Sequence, residues 1–200
     1  MRFLIIFLPL LALGGLSGWI DVSFKLPDME KMIYQSPLGS VRLIADRGAL
    51  VYCNWESADC RDKETKLMAL LEEAGGNDLD MDVLKVSVRQ LNEYFNGKRF
   101  VFDLPIKLIG TEFQKKVWKA MAEVEYGEVR SYKWLAERCG CVKGYRAVAS
   151  ACGRNPLAII YPCHRIISSD SSLGGYTGGI DKKEGLLRLE SNVIQSVRNN

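Results

Sequence analysis

The sequence predicts an α+β protein: a small N-terminal α/β domain of sheet plus helices, followed by a mostly α-helical domain. Two observations predict this order. Short apolar segments separated by turn residues lie between positions 32 and 53, whereas apolar residues recur at helical spacing through most of the chain after Thr111. A chain of 200 residues is long enough for two small domains. We therefore divide it into an apolar N-terminal extension, 1–31, an N-terminal domain, 32–106, and a C-terminal domain, 107–200.

The N-terminal domain is predicted to contain three strands followed by two helices. In chain order, the strands are 32–35, 41–45 and 49–53, and the helices are 64–73 and 82–95. A turn at Pro37-Leu38-Gly39 joins the first two strands, and the third strand is apolar throughout, which indicates a buried position. Gly75-Gly76 and Asn96-Gly97 are typical helix ends, one for each helix.

Four helices are predicted in the C-terminal domain. The first starts at Thr111, where a capping box is followed by a stripe expected to be buried, and Tyr126-Gly127 stops it. The stripe consists of Phe113, Val117, Met121 and Val124. The other three helices are 132–139, 145–152 and 181–190.

The second and third of these helices are short and close together. Ser131 is placed to cap the second helix, and Gly140 makes the turn that separates it from the third. This spacing fits a helix-turn-helix and fits two packed core helices equally well.

Composition excludes few classes of protein, but the charge is unevenly distributed. Hydrophobic residues make up 48% and charged residues 26% of the chain, as in ordinary globular proteins. Residues 1–106 contain 12 Lys/Arg and 15 Asp/Glu, whereas residues 107–200 contain 15 and 9. The excess of positive charge in the C-terminal half indicates either a solvated basic face or a polyanionic partner.

Six cysteines and a single histidine limit the metal and redox chemistry. So few cysteines in a chain of this length argue against a disulfide framework. Cys139-Gly140-Cys141 looks like half of a metal site, but no second pair follows it and one histidine cannot complete a usual zinc set. We therefore expect no metal and no cofactor.

The N-terminal extension is apolar, since residues 3–20 contain no charged side chain and Arg2 precedes them. This pattern is typical of a signal peptide or a membrane anchor. It also fits a translation start further along, at Met29 or Met32, or a core helix. We favour the downstream start as the expectation.

The strongest functional signal is Cys163 beside His164, the only histidine of the chain. A thiol becomes a strong nucleophile when it loses its proton, and an imidazole is the usual acceptor of that proton. Adjacent positions do not prove a hydrogen bond, so a buried structural thiol beside an ordinary histidine is an equal alternative at this point.

The segments around this pair resemble the O6-alkylguanine-DNA alkyltransferases, also called methylated-DNA–protein-cysteine methyltransferases. The resemblance rests on RAVASACGRNP at 146–156, IYPCHRII at 160–167, LGGYTGG at 173–179 and KEGLLRLE at 183–190. It runs from about Thr111 to Glu190, and more weakly back to Met32. It implies a cytoplasmic monomer that needs no cofactor, membrane or obligate protein partner. The implied substrate is double-stranded DNA containing O6-alkylguanine.

The resemblance assigns four catalytic residues. Cys163 would accept a methyl group from O6-methylguanine, and also from O4-methylthymine, in a single turnover. His164 would act as its base through a water molecule, with Glu190 orienting the imidazole, and Asn155 would stabilise the thiolate and the turn before the site. Two alternative functions are a Cys-His hydrolase and a DNA-binding relative without activity. Proteins of the second class lack the acceptor cysteine, which this chain has as Cys163.

The resemblance also assigns the DNA-binding residues, and it favours the helix-turn-helix over packed core helices. The matching arginine, Arg146, would enter the duplex from the minor groove and replace an extruded base. The other residues of this DNA-binding set are Ser131, Tyr132, Ala147, Ala149 and Ser150. Several relatives have glycine in place of Ala149, which indicates a slightly looser approach to DNA here.

The extruded base would enter a pocket formed by Tyr132, Cys163, Ile166, Tyr176 and Thr177. By the resemblance, Tyr132 donates to the purine ring, and the carbonyl groups of Cys163 and Ile166 accept from its exocyclic amine. Tyr176 forms a wall, and the Thr177 N–H approaches O6. Most relatives carry serine or a similar small residue at position 177, so threonine is tolerated if only its backbone acts.

Overall fold

The computed structural model describes residues 4–8, 20–24, 31–69, 71 and 78–199, with side chains from Lys31 onward. Strands β1 (Leu4–Leu8) and β2 (Ile20–Phe24) form an antiparallel pair. Where the apolar extension is described it is therefore strand, not the core helix considered above; its remainder and Met29 lie outside the described residues. Within these ranges, no helix is long and apolar enough to cross a membrane.

A three-stranded antiparallel sheet forms the centre of the N-terminal domain, as predicted. Its order is β3 (Lys31–Ser36), β4 (Gly39–Asp46) and β5 (Ala49–Trp55). Glycine is required at the first turn because Gly39 has a φ of 124°, which side chains rarely adopt. Both β4 and β5 are largely buried, in agreement with the apolar character of the third predicted strand.

The two helices of this domain begin earlier than predicted. Helix α1 spans Ala58–Met68 because the Ser57 side chain caps it by accepting from the Cys60 N–H at 3.2 Å. Its polar first turn carries no apolar period, so the pattern missed it. The helix ends at Met68, so its predicted continuation to residue 73 is wrong; Gly75-Gly76 lies outside the described residues. Helix α2 spans Asp78–Phe95 and ends as predicted.

Helix α3 (Glu112–Met121) has the predicted capping box, with reciprocal bonds between Thr111 and Gln114. The predicted stripe is wrong at Phe113, which is 38% exposed. Trp118 takes the core position instead and donates from its indole nitrogen to the Ala151 carbonyl at 2.9 Å. The helix also ends at Met121, before the predicted stop, so Val124 is buried in the turn that follows.

The remaining helices follow the predicted order. Helix α4 (Tyr132–Arg138) is capped by Ser131, whose hydroxyl accepts from the Trp134 N–H at 3.1 Å. A turn with Gly140 at a φ of 69° leads to α5 (Tyr145–Gly153). Helix α6 (Ile180–Arg198) is longer than the predicted 181–190.

The segment that contains Cys163 and His164 lies where the two halves of the chain meet. A 3₁₀ turn, Cys163–Arg165, leads into β7 (Ile166–Ile167), which pairs in parallel with β6 (Arg130–Ser131). The first half reaches the second through Cys53, whose N–H donates to the Pro156 carbonyl at 2.9 Å. One apolar cluster contains residues of both halves, among them Leu43, Leu91, Leu157, Ile159 and Leu186. The segment before the 3₁₀ turn is thus fixed against the N-terminal sheet.

Candidate active site

Cys163 lies at the start of the 3₁₀ turn and is half-buried, facing a cavity of about 450 Å³. Helix α5 provides Ala149 and Cys152 to the lining, and every residue of the loop 174–178 lines the cavity as well. The cavity is larger than a purine base and lies beside the short helices α4 and α5. The cavity could therefore bind a group of that size next to the thiol.

The Cys163 thiol is poorly ionised near pH 7, although some neighbouring groups favour its ionisation. Burial raises the pKa of Cys163, while the Asn155 side-chain amide, 3.4 Å from the sulfur, and the charges of Lys63 and Lys183 lower it. Burial dominates, so the net shift is upward. A base is therefore needed to generate the nucleophilic thiolate.

His164 is fully buried and its Nε2 lies 2.8 Å from Oε1 of Glu190. Burial lowers the pKa of His164 more than the Glu190 carboxylate raises it, so the imidazole is neutral near pH 7. A carboxylate only accepts, so the proton lies on Nε2 and Nδ1 carries the lone pair. Nδ1 has no hydrogen-bond partner among the described residues, which leaves it available to accept a proton.

Glu190 is completely buried on α6 and is held by several donors. Its carboxylate accepts from the Tyr94 hydroxyl at 2.6 Å and from the Gly127 N–H at 3.0 Å, in addition to His164. Burial alone would raise the pKa of Glu190, but the hydrogen bond from His164 and the hydrogen bonds and charge of Arg165 outweigh it. The pKa therefore lies far below its ordinary range, and the carboxylate is ionised whenever the protein is folded at neutral pH.

Arg165 completes this buried cluster, and the sequence analysis gave it no role. Its guanidinium donates to both oxygens of Glu190 at 3.0 Å and to the Val124 carbonyl at 2.7 Å. It also lies over the Tyr126 ring, 5.5 Å from the centroid. The only signal in the sequence was the position of Arg165 next to the Cys-His pair.

The cavity is lined by two of the predicted tyrosines, Tyr132 and Tyr176, and Tyr176 contacts Trp55, a residue that was not predicted. Burial raises the pKa of Tyr132 to about 12, so its phenol keeps a proton to donate. The Trp55 indole donates to the Tyr176 hydroxyl at 3.2 Å. Thr177 also lines the cavity, and its hydroxyl donates to the Gly153 carbonyl at 3.0 Å, which ties the loop to the end of α5.

Lys183, also without a predicted role, is fully buried behind the site. Its ammonium group donates to the Ile166 carbonyl at 2.6 Å and also to the Leu173 carbonyl. The Ile166 oxygen thus already has one donor, and a carbonyl has two lone pairs. It can accept from an exocyclic amine only with the second of them.

Four of the predicted DNA-binding residues lie on α5. Arg146, Ala147 and Ser150 are exposed on α5, and Ala149 is half-buried at the cavity. Ser131 acts as the N-cap of α4. Within the described ranges, no three His, Cys, Asp or Glu residues are grouped to hold a metal ion.

Fold and site together define a class of protein: an α+β protein in which a half-buried cysteine, followed by a histidine bonded to a buried glutamate, faces a cavity beside two short helices. Two family models match the chain, one in each half. The model for the 6-O-methylguanine DNA methyltransferase, ribonuclease-like domain, matches residues 29–108. The model for the 6-O-methylguanine DNA methyltransferase, DNA binding domain, matches residues 112–192.

Individual relatives agree with these models. The methylated-DNA–protein-cysteine methyltransferase of Methanosarcina acetivorans is 40% identical over 162 residues, which are 81% of this chain and 98% of the relative. The Methanosarcina barkeri enzyme of the same name is 55% identical over 109 residues, 54% of this chain and 69% of the relative. The crystal structure of Mycobacterium tuberculosis O6-methylguanine methyltransferase has a TM-score of 0.70 at 35% identity, covering 82% of this chain and 93% of that one. The structure of Mycobacterium tuberculosis OGT in complex with DNA has a TM-score of 0.68 at 36% identity, with the same coverage.

The chain belongs to the family of methylated-DNA–protein-cysteine methyltransferases. The resemblance inferred from the sequence motifs is confirmed, and so is the predicted fold class.

Proposed function

We propose that this protein repairs DNA by moving the methyl group of O6-methylguanine, and also of O4-methylthymine, to its own Cys163. The observation that carries the proposal is the position of the Cys163 sulfur. It faces a cavity with room for a purine base, and the next residue in the chain, the neutral His164, is hydrogen-bonded to Glu190 at 2.8 Å. The matching family and the relative in complex with DNA support alkylated DNA as the substrate.

The damaged base must leave the duplex before it can react. Its O6 lies inside a stacked pair, where a half-buried thiol cannot align with the methyl carbon. Extrusion costs a few kcal/mol, and less for a poorly paired damaged base. We assign α4 and α5 as a helix-turn-helix that binds the minor groove, with the exposed Arg146 filling the gap in the stack. Tyr132 and Tyr176 would then hold the base in the cavity.

The transfer is a single displacement. Through a water molecule, Nδ1 of His164 takes the proton of the thiol, and the sulfur attacks the methyl carbon as the carbon–O6 bond breaks. The electrons of that bond remain on the base, which leaves as guanine after taking up a proton; Tyr132, which lines the cavity, is the proposed donor to the ring. The product at Cys163 is a thioether, which water does not readily cleave, so each molecule acts once.

Intact mass and peptide mapping test this proposal. Incubation with a duplex containing O6-methylguanine is expected to add one methyl group to Cys163 and none to Cys152, which lines the same cavity. Cys163→Ser is expected to bind the duplex and accept no methyl group. More than one equivalent of repaired DNA per protein molecule would contradict the mechanism and favour a turnover enzyme such as a hydrolase.

We further propose that the protein acts as a monomer in the cytoplasm without an obligate protein partner. Sedimentation of the protein with and without the duplex tests the monomer, since a dimer in either sample would contradict it.

A further inference from the structure

The N-terminal domain contributes to the active-site cavity as well as to the core. Asn54, Asp59 and Lys63 line the same cavity as Cys163. Trp55 of the same domain donates to the Tyr176 hydroxyl in the wall. The domain therefore contributes polar side chains to the cavity that Cys163 faces, although no functional residue was predicted in it.

Lys63 differs from the neighbouring lysines of its domain. It is half-buried on α1 and, within the part of the chain that the structure describes, it makes neither a hydrogen bond nor an ion pair. Lys66, one turn further along the same helix, pairs with Asp62 at 2.6 Å and is mostly exposed. Lys31 pairs with Glu64 at 3.3 Å. A half-buried ammonium group without a bound partner is costly, which indicates that its charge serves the cavity.

We propose that Lys63 is a positioning residue of the active site, whose ammonium group stabilises the negatively charged sulfur of Cys163 across the cavity. This proposal rests on the proposed function in one respect, that Cys163 is the acceptor. The charge acts on the sulfur without contacting the base, so its effect is on the population of thiolate.

The electrostatics of the two groups support the assignment. Burial lowers the pKa of Lys63 and dominates, while Asp59, and Cys60 and Cys163 when they are ionised, raise it. Conversely, Lys63 lowers the pKa of Cys163, after the contributions of burial and of Asn155.

The other titratable groups near the sulfur are less suited to this role. Lys183 donates to two carbonyl groups, so its ammonium group is already held. His164 is neutral and is needed as the base. Asp59, exposed on the same helix, partly offsets Lys63. The remaining neighbours are neutral near pH 7, because burial raises the pKa of each: Tyr132, Cys152 and Tyr176.

The test is the pH dependence of thiol alkylation, which needs no DNA. Iodoacetamide labelling of Cys163 is followed by peptide mapping from pH 6 to pH 10, with the half-buried Cys141 as internal reference. In Lys63→Met, we expect the pH midpoint for Cys163 to rise by about half a pH unit and the rate near pH 7.5 to fall about threefold. Lys63→Arg should keep the wild-type midpoint, since it keeps the charge.

Lys66→Met is the matched control, because it removes the same charge from the same helix at a paired, exposed site. It should leave the Cys163 midpoint unchanged. An unchanged midpoint in a folded Lys63→Met, or equal shifts in the Lys63 and Lys66 variants, would overturn the proposal.

DNA binding and methyl transfer separate this inference from the proposed function. Weaker duplex binding by Lys63→Met with an unchanged alkylation midpoint would make Lys63 a phosphate contact and overturn its role at the sulfur. If the wild-type protein accepts no methyl group, the proposed function fails, whereas the alkylation series still decides whether Lys63 acts on the thiol.

Discussion

Glu190→Gln tests whether the buried cluster behind the thiol is both structural and functional. The carboxylate is completely buried and accepts from Tyr94, Gly127, His164 and Arg165. Glutamine keeps one acceptor oxygen but loses the charge and adds two donors where donors already converge. Breaking a buried pair from one side costs about 3–5 kcal/mol, since the remaining charge of Arg165 stays buried without compensation. We expect the free energy of unfolding to fall by about that amount.

Urea denaturation followed by tryptophan fluorescence at pH 7 measures this loss. The matched control is Glu184→Gln, which removes the same charge from an exposed position on the same helix and should change stability by less than about 0.5 kcal/mol. Because the pair is buried, the loss should be nearly equal at low and moderate salt. A loss under about 1 kcal/mol would refute the view that the charge of Glu190 is needed to compensate the buried charge of Arg165.

The same variant tests the tautomer of His164. A glutamine amide can donate as well as accept, so it no longer fixes the proton on Nε2. We expect methyl transfer to slow by about two to four orders of magnitude, because a mis-oriented imidazole no longer acts as the general base. Single-turnover kinetics at saturating duplex measure this step. A transfer rate within about threefold of wild type would show that the carboxylate does not orient the base.

Three further predictions follow from individual contacts. Gly178→Ala should reduce the free energy of unfolding by about 1–3 kcal/mol in urea denaturation and slow methyl transfer, because its Cβ would lie 2.0 Å from the Trp55 ring. Gly175→Ala, where the Cβ would meet open space, is the control, and equal effects of the two variants would contradict the steric reason. Arg146→Ala should slow transfer from duplex DNA far more than reaction with the free methylated base, because an intercalating side chain matters only when a base leaves a stack; equal slowing would exclude that role. When the pH is lowered from 7 to 5.5, the free energy of unfolding should decrease less in His164→Gln than in the wild type. The pKa of His164 is lowered in the fold, so the wild-type stability decreases as pH falls below the unfolded value of about 6.5; parallel pH profiles would contradict this.

Much of the fold could be predicted because its signals are local. The Thr111 capping box and the Ser131 cap are read from neighbouring residues, and both are present in the structure. Apolar periodicity was less reliable at the edges of elements. It placed Phe113 inside, although Trp118 offers the larger apolar surface to the core. It also missed the first turn of α1, where polar residues follow the Ser57 cap.

The site was only partly predictable, for a related reason. Cys163 and His164 are adjacent in the chain, and Glu190 could be matched by a motif. Tyr94 reaches Glu190 across 96 positions, and nothing in the periodicity of α2 distinguishes its hydroxyl from an ordinary core tyrosine. Lys63 is hidden in the same way, since a lysine on a polar helix is usually solvated. Contacts of this kind arise from how the two halves pack.

The burial of Cys163 has opposite effects on the reactant and on the product of the proposed transfer. Burial raises the pKa of the thiol because it disfavours the charged sulfur. A methyl thioether is uncharged and apolar, so the same surroundings favour it. Asn155 also tolerates the change, since its amide donates to the Tyr161 carbonyl at 2.7 Å in addition to the sulfur. The groups that help to ionise the thiol therefore favour transfer of the methyl group to the sulfur but do not favour its release. Burial then stabilises the methylated protein, which is consistent with one transfer per molecule.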